Sequence, residues 1–189
     1  MKPTVLAVCG CLLGALGISS QTEQDSPKPA IESRIITAET GERTLLQDVL
    51  IEAPVAEVWK AYTTGDGFAA WAAPVAEVDL RNGGTIRTHY TSGAAIGDPG
   101  TNTLHIVNYV PERVLTLRAE LAPNWPEVMK HDAENLMNVI VFVPEGERRT
   151  RILSYGCGYG TAEAYEKLLT FFIKANEGLF VKLKKFLEG

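Results

Sequence analysis

Few residues of this sequence could do chemistry. It holds three histidines, His89, His105 and His131, and no two of them have the local spacing of metal ligands. Cys157 could act as a nucleophile, but a reactive thiolate needs a neighbouring base, and the sequence names none. We therefore predict no catalytic group, no metal site and no cofactor, with Cys157 packed as a small apolar residue in the core.

Residues 156–160, Gly-Cys-Gly-Tyr-Gly, lie between a predicted strand and a predicted helix, as a dinucleotide-binding loop would. That loop requires a βαβ unit with an acidic residue beyond the helix, whereas here the sequence ends with the helix. We predict instead that these glycines let the last strand bend into the helix.

Aromatic and apolar residues are the better candidates for a binding site, because pockets for small molecules are mostly apolar with a few polar groups. Trp71 lies near the end of a predicted helix, and Trp125 lies in a long insertion. The predicted ligand-binding residues are Trp71, Tyr90, Trp125, Tyr155, Leu169 and Phe172.

The first twenty residues have the layout of a secretory signal. Lys2 precedes an uncharged apolar run at 5–16, and small residues follow it. The run is shorter than the ~20 residues that cross a bilayer, so a permanent signal anchor is the weaker alternative. We predict a cleaved signal over 1–20, export to the periplasm or medium, and no stable membrane insertion afterwards. A flexible linker is predicted over 21–33, and one domain over 34–189.

The net charge limits the class of partner, and the cysteine content limits the possible disulfides. The net charge is −5, and an acidic protein repels the phosphate backbone, so nucleic acid is excluded as a partner. The cluster of Lys182, Lys184 and Lys185 is predicted to stabilise a helix C-terminus. Cys9 and Cys11 leave with the signal, so no internal disulfide is expected in the mature monomer. Nothing in the sequence specifies an oligomeric state.

Apolar periodicity and turn residues predict an α+β domain. Seven strands are expected, at 44–52, 75–80, 85–91, 103–110, 114–121, 139–143 and 149–155. Two short helices begin near Val55 and Phe68, and residues 123–137 form an insertion that is partly helical. A long helix over 161–187 carries an apolar stripe made of Tyr165, Leu168, Leu169, Phe172, Leu179, Leu183 and Phe186. Such a helix needs a broad apolar surface, which a curved antiparallel sheet supplies.

Three segments resemble motifs of the START-like (SRPBCC) superfamily. Residues 53–61, Ala-Pro-Val-Ala-Glu-Val-Trp-Lys-Ala, resemble its first helix. Residues 79–84, Asp-Leu-Arg-Asn-Gly-Gly, resemble its second hairpin, and residues 110–115, Val-Pro-Glu-Arg-Val-Leu, the turn before its fifth strand. Over 44–187 the chain is similar to the branch of homologues of the activator of the ninety-kilodalton heat-shock chaperone.

This resemblance implies a helix-grip fold with a deep cavity between the sheet and the long helix, and Trp71 and Trp125 are predicted at its mouth. Relatives bind lipids, hormones or polyketides there, and a few carry out cyclisation or dehydration. The first hypothesis is therefore an exported binder of an apolar or aromatic small molecule. The alternative is an enzyme of the aromatase, cyclase or lyase type acting in the same cavity. A third hypothesis, a protein-interaction module, is supported by no specific residue or motif. A chaperone partner is not expected either, because an exported domain would not meet a cytosolic chaperone.

Overall fold

The structure, a computed structural model, describes residues 31–121 and 125–189. The predicted signal and the first ten residues of the predicted linker lie outside the described residues. The strands are β1 (Ile31–Thr37), β2 (Arg43–Ile51), β3 (Val75–Val78), β4 (Thr85–His89), β5 (Asn102–Val110), β6 (Val114–Ala119), β7 (Met137–Pro144) and β8 (Thr150–Tyr159). The helices are α1 (Val55–Thr63), α2 (Gly65–Trp71), α3 (Glu127–His131) and α4 (Glu163–Glu188).

The described strands form one antiparallel sheet in the order β1-β2-β8-β7-β6-β5-β4-β3. Strands β2 and β8 are hydrogen-bonded neighbours, although β3 to β7 lie between them in the chain. The sheet curves around α4. This architecture confirms the predicted α+β class and helix-grip arrangement. Over the described residues, no helix combines the length and apolarity needed to cross a bilayer.

Strand β1 is an eighth strand that the sequence did not predict. It begins at Ile31, inside the predicted linker 21–33, and pairs with β2 along its whole length. As an edge strand it leaves four of its seven residues exposed, so it lacks the apolar alternation that marks a half-buried strand.

The glycines at 156–160 do not act as predicted. Strand β8 continues through them to Tyr159, and the bend into α4 comes later. Gly158 has a φ of +88°, and a Cβ there would lie 2.2 Å from the backbone oxygen of Asn135. Glycine is thus required where the segment before β7 crosses close to the β8 backbone.

Two apolar clusters occupy the space between the helices and the concave face of the sheet. The large cluster joins α1, α2 and the C-terminal half of α4 to the sheet, and includes Val49, Val58, Ile152, Phe180 and Leu183. The small cluster lies at the N-terminal half of α4 and contains Leu45, Met129, Tyr159, Tyr165, Leu168 and Leu169.

The apolar stripe predicted on α4 needs two corrections. Tyr165, Leu168, Leu169 and Leu183 are buried as predicted, whereas Phe186 is exposed. Phe180, absent from the predicted stripe, is buried in the large cluster one turn before Leu183. A helix of 26 residues passes over several strands, so the face that it buries shifts along its length.

Candidate functional site

A belt of hydrogen-bonded polar side chains separates the two clusters. Gln47 on β2 is only 1% exposed. Its Nε2 donates to Ser33 Oγ at 3.0 Å, and its Oε1 accepts from Asn176 Nδ2 at 2.8 Å. Ser33 Oγ in turn donates to Glu177 Oε1 at 2.7 Å. Because every partner is supplied by β1, β2 or α4, the belt connects the middle of α4 to the edge of the sheet.

The polar belt continues across the concave face. Ser154 on β8 lies opposite Gln47, and its Oγ donates to Asn138 Oδ1 at 3.0 Å. Asn138 on β7 is half-buried and lies in the same row across the sheet as Leu45 of the small cluster. Its amide nitrogen donates to no other residue in the described ranges. A hydrogen-bond donor is therefore available beside an apolar cluster.

A half-buried aromatic stack covers the small cluster. The rings of Trp125 and Phe172 are 6.3 Å apart between centroids and inclined by 22°. Both pack against the small cluster, which contains the fully buried Leu169, and Phe172 also contacts the ring of Tyr159. The structure thus brings together three of the six predicted ligand-binding residues, Trp125, Leu169 and Phe172.

The other three lie elsewhere, and their prediction needs correction. Trp71 is buried in the large cluster, where its indole Nε1 donates to the Ala61 carbonyl at 3.0 Å, so it is a core residue and does not lie at a mouth. Tyr90 follows β4 and is 63% exposed. Tyr155 lies on the outer face of the sheet, because its neighbour Ser154 points inward and side chains alternate along a strand.

The segment containing α3 is tied to α4 by one hydroxyl. Tyr165 donates to the Asp132 carboxylate, and its oxygen also lies 3.1 Å from the Val128 carbonyl oxygen. Burial, together with the Asp132 carboxylate, holds the pKa of Tyr165 well above its usual range. The hydroxyl therefore stays protonated and serves as a donor. Sequence patterning identified Tyr165 only as part of the stripe.

Cys157 was predicted to pack in the core, and this prediction is wrong. It lies half-buried on the outer face of the sheet, opposite Met137. Burial raises the pKa of its thiol, so the reactive thiolate is scarce at neutral pH. Within the described ranges, no three His, Cys, Asp or Glu side chains are close enough together to hold a metal ion.

Over residues 31–121 and 125–189, the two clusters and the polar belt occupy the space between α4 and the sheet, and the described side chains leave no deep cavity there of the kind that the resemblance implies. A depression of about 470 Å³ lies elsewhere on the surface, and it is lined by Glu52, Glu145, Glu147, Arg148 and Arg149. Charged walls of this kind do not suit an apolar ligand.

Comparison with known proteins identifies the fold and the family. The family model described as Activator of Hsp90 ATPase homolog 1-like protein matches residues 52–188. A search of curated proteins finds no significant match.

Solved structures similar to this chain include the Aha1 dimer from Colwellia psychrerythraea, at 16% identity over 75% of this chain and 96% of that chain, with a TM-score of 0.54. Protein MLL2253 from Mesorhizobium loti is 15% identical over 77% of this chain and 97% of its own, with a TM-score of 0.58. CalU16 from Micromonospora echinospora is 20% identical over 82% and 86%, with a TM-score of 0.52. At these identities the likeness concerns the fold alone.

Proposed function

Because the chain belongs to the Activator of Hsp90 ATPase homolog 1-like family, we propose that it is an exported protein that binds an apolar or aromatic small molecule between α4 and the concave face of the sheet. One observation carries the proposal. The packing between α4 and the sheet is divided by the polar belt, and at one side of the belt the half-buried Trp125–Phe172 stack is the outer layer of the small cluster.

The ligand enters by displacing Trp125 from Phe172. Its apolar body then packs against Leu169 and Phe172, and one polar group accepts a hydrogen bond from the Asn138 amide. Transfer of apolar surface from water contributes ~25 cal/mol per Å², so a buried area of a few hundred Å² supports micromolar affinity after ordering costs. The bond between Tyr165 and Asp132 keeps the α3 segment attached to α4 while the stack opens.

Tryptophan fluorescence tests this proposal. We expect fatty acids, sterols or polycyclic aromatics to change the indole emission of the protein at micromolar concentration. The reason is that the ligand enters between the two rings, so that the indole of Trp125 contacts the ligand and no longer the ring of Phe172. The change should be lost in Trp125→Phe and kept in Trp71→Phe, a matched substitution in the large cluster. Loss in Trp71→Phe with retention in Trp125→Phe would place the ligand elsewhere, and turnover of any compound would favour the enzyme alternative.

Export has its own test. The Lys2 head, the apolar run and the small residues that follow it support cleavage between about residues 17 and 22. We expect the intact mass of protein recovered outside the cytoplasm to correspond to a chain that starts in this interval. A chain starting at Met1 in that fraction would rule out the cleaved signal.

A further inference from the structure

The outer face of α4 is a line of exposed basic and apolar side chains. It comprises Lys167, Phe171, Lys174, Val181, Lys182 and Lys185, all of which are exposed, and Gly178 lies between them on the same side. Their spacing of three or four residues places them on one side of the helix, opposite Tyr165, Leu169 and Leu183, which pack towards the sheet. The line extends over about 27 Å at the rise of an α-helix.

Beyond the first turn of α4, where Glu163 lies on the same side of the helix as Lys167, the outer face carries no carboxylate. From residue 167 to residue 187, α4 contains a single carboxylate, Glu177, and that side chain turns to the sheet edge to accept from Ser33. Lys184 is also directed inward, to the Leu50 carbonyl and Glu188. The four lysines of the outer face form no ion pair within the described ranges. A concentrated positive face thus stands out on a protein with a net charge of −5.

The apolar residues of the outer face are unusually accessible. Phe171 is 61% exposed and Val181 is 58% exposed, with Phe186 at the border of the face. Lysines alone would be typical of a solvated helix. Large apolar side chains between lysines are typical of a helix that lies in the interface of a membrane, where the lysines reach the phosphates and the apolar groups enter the acyl boundary.

We propose that the outer face of α4 binds the surface of an anionic phospholipid membrane. The four lysines contact lipid phosphates, and Phe171 and Val181 enter the boundary with the acyl chains. The inner face of α4 stays packed on the sheet, so the domain remains folded while it is bound. Phe171 also contacts Phe172 at 5.3 Å between ring centroids, so the bilayer would lie beside the Trp125–Phe172 stack.

Flotation with lipid vesicles tests the proposal on the full chain. We expect binding to vesicles that contain about one-third phosphatidylglycerol in phosphatidylcholine, weak binding to phosphatidylcholine alone, and loss of binding at high salt. Each lysine near the surface is worth about fivefold in partitioning, so Lys174→Gln with Lys185→Gln should weaken binding about 25-fold. Phe171→Ser should also weaken binding, because it removes an inserted ring.

The matched control is Lys60→Gln with Arg148→Gln, which removes the same charge from exposed positions outside α4. It should bind the anionic vesicles nearly as well as the unaltered protein. All variants keep the same N-terminal residues, so differences between them report on α4. Equal loss in the control and in the α4 variant would overturn the proposal. Unchanged vesicle binding in the α4 variant would also overturn it. If the α4 variant binds vesicles normally but no longer self-associates in sedimentation, the partner of the outer face is a second copy of the chain.

Discussion

Replacing Gly158 by alanine is expected to lower the free energy of unfolding by about 3 kcal/mol or more, combining backbone strain with overpacking. Its φ of +88° is unfavourable for any residue with a side chain. In addition, the new Cβ would lie 2.2 Å from the Asn135 oxygen and 2.5 Å from the Asn135 carbonyl carbon. Backbone atoms cannot rotate away as the end of a side chain can, so β8 or the segment before β7 must shift.

Gly93 separates the two contributions to this effect. Its φ of +83° is nearly the same, but a Cβ there meets nothing within 4 Å. Gly93→Ala should therefore cost only the backbone strain, about 1 kcal/mol. Denaturant unfolding of both variants gives the comparison. Equal small losses would show that the chain at Asn135 does not pass as close to β8 as described.

Truncation of Leu183 to alanine is the second large effect. Leu183 is fully buried in the large cluster between α4 and the sheet, and removal of a buried leucine side chain costs about 2–5 kcal/mol. Leu179, one turn earlier, is only partly buried against the same cluster, so Leu179→Ala should cost less than half as much. If Leu183→Ala changes the free energy of unfolding by less than ~0.5 kcal/mol, as surface substitutions do, α4 does not pack on the sheet as described.

The elements behind these effects were predictable to different degrees. Strands β2 to β8 have clear turn residues between them, and α4 has a long uninterrupted periodicity, so both were found from local patterns. Strand β1 was missed because an edge strand with exposed side chains has no such pattern. The glycines before α4 were misjudged because their role depends on Asn135, which belongs to another segment.

The candidate site was only half predictable, for a related reason. Leu153 and Tyr155 are apolar or aromatic on the outer face of β8, while Ile152 is apolar on the inner face, so alternation could not tell which face meets α4. The polar belt gave no signal at all. Gln47 bonds to partners 14 and 129 positions away, and a single glutamine between apolar residues does not reveal them.

The most direct test of ligand binding between α4 and the sheet is NMR mapping with the compound that binds best in the fluorescence titration. We predict that the largest shifts occur at the Trp125 indole N–H, the Asn138 side-chain amide and the backbone around Phe172. The Trp71 indole, which donates to Ala61 inside the large cluster, should change little. Shifts confined to the charged depression at Glu145 and Arg149, or shifts that spare both Trp125 and Asn138, would contradict the account.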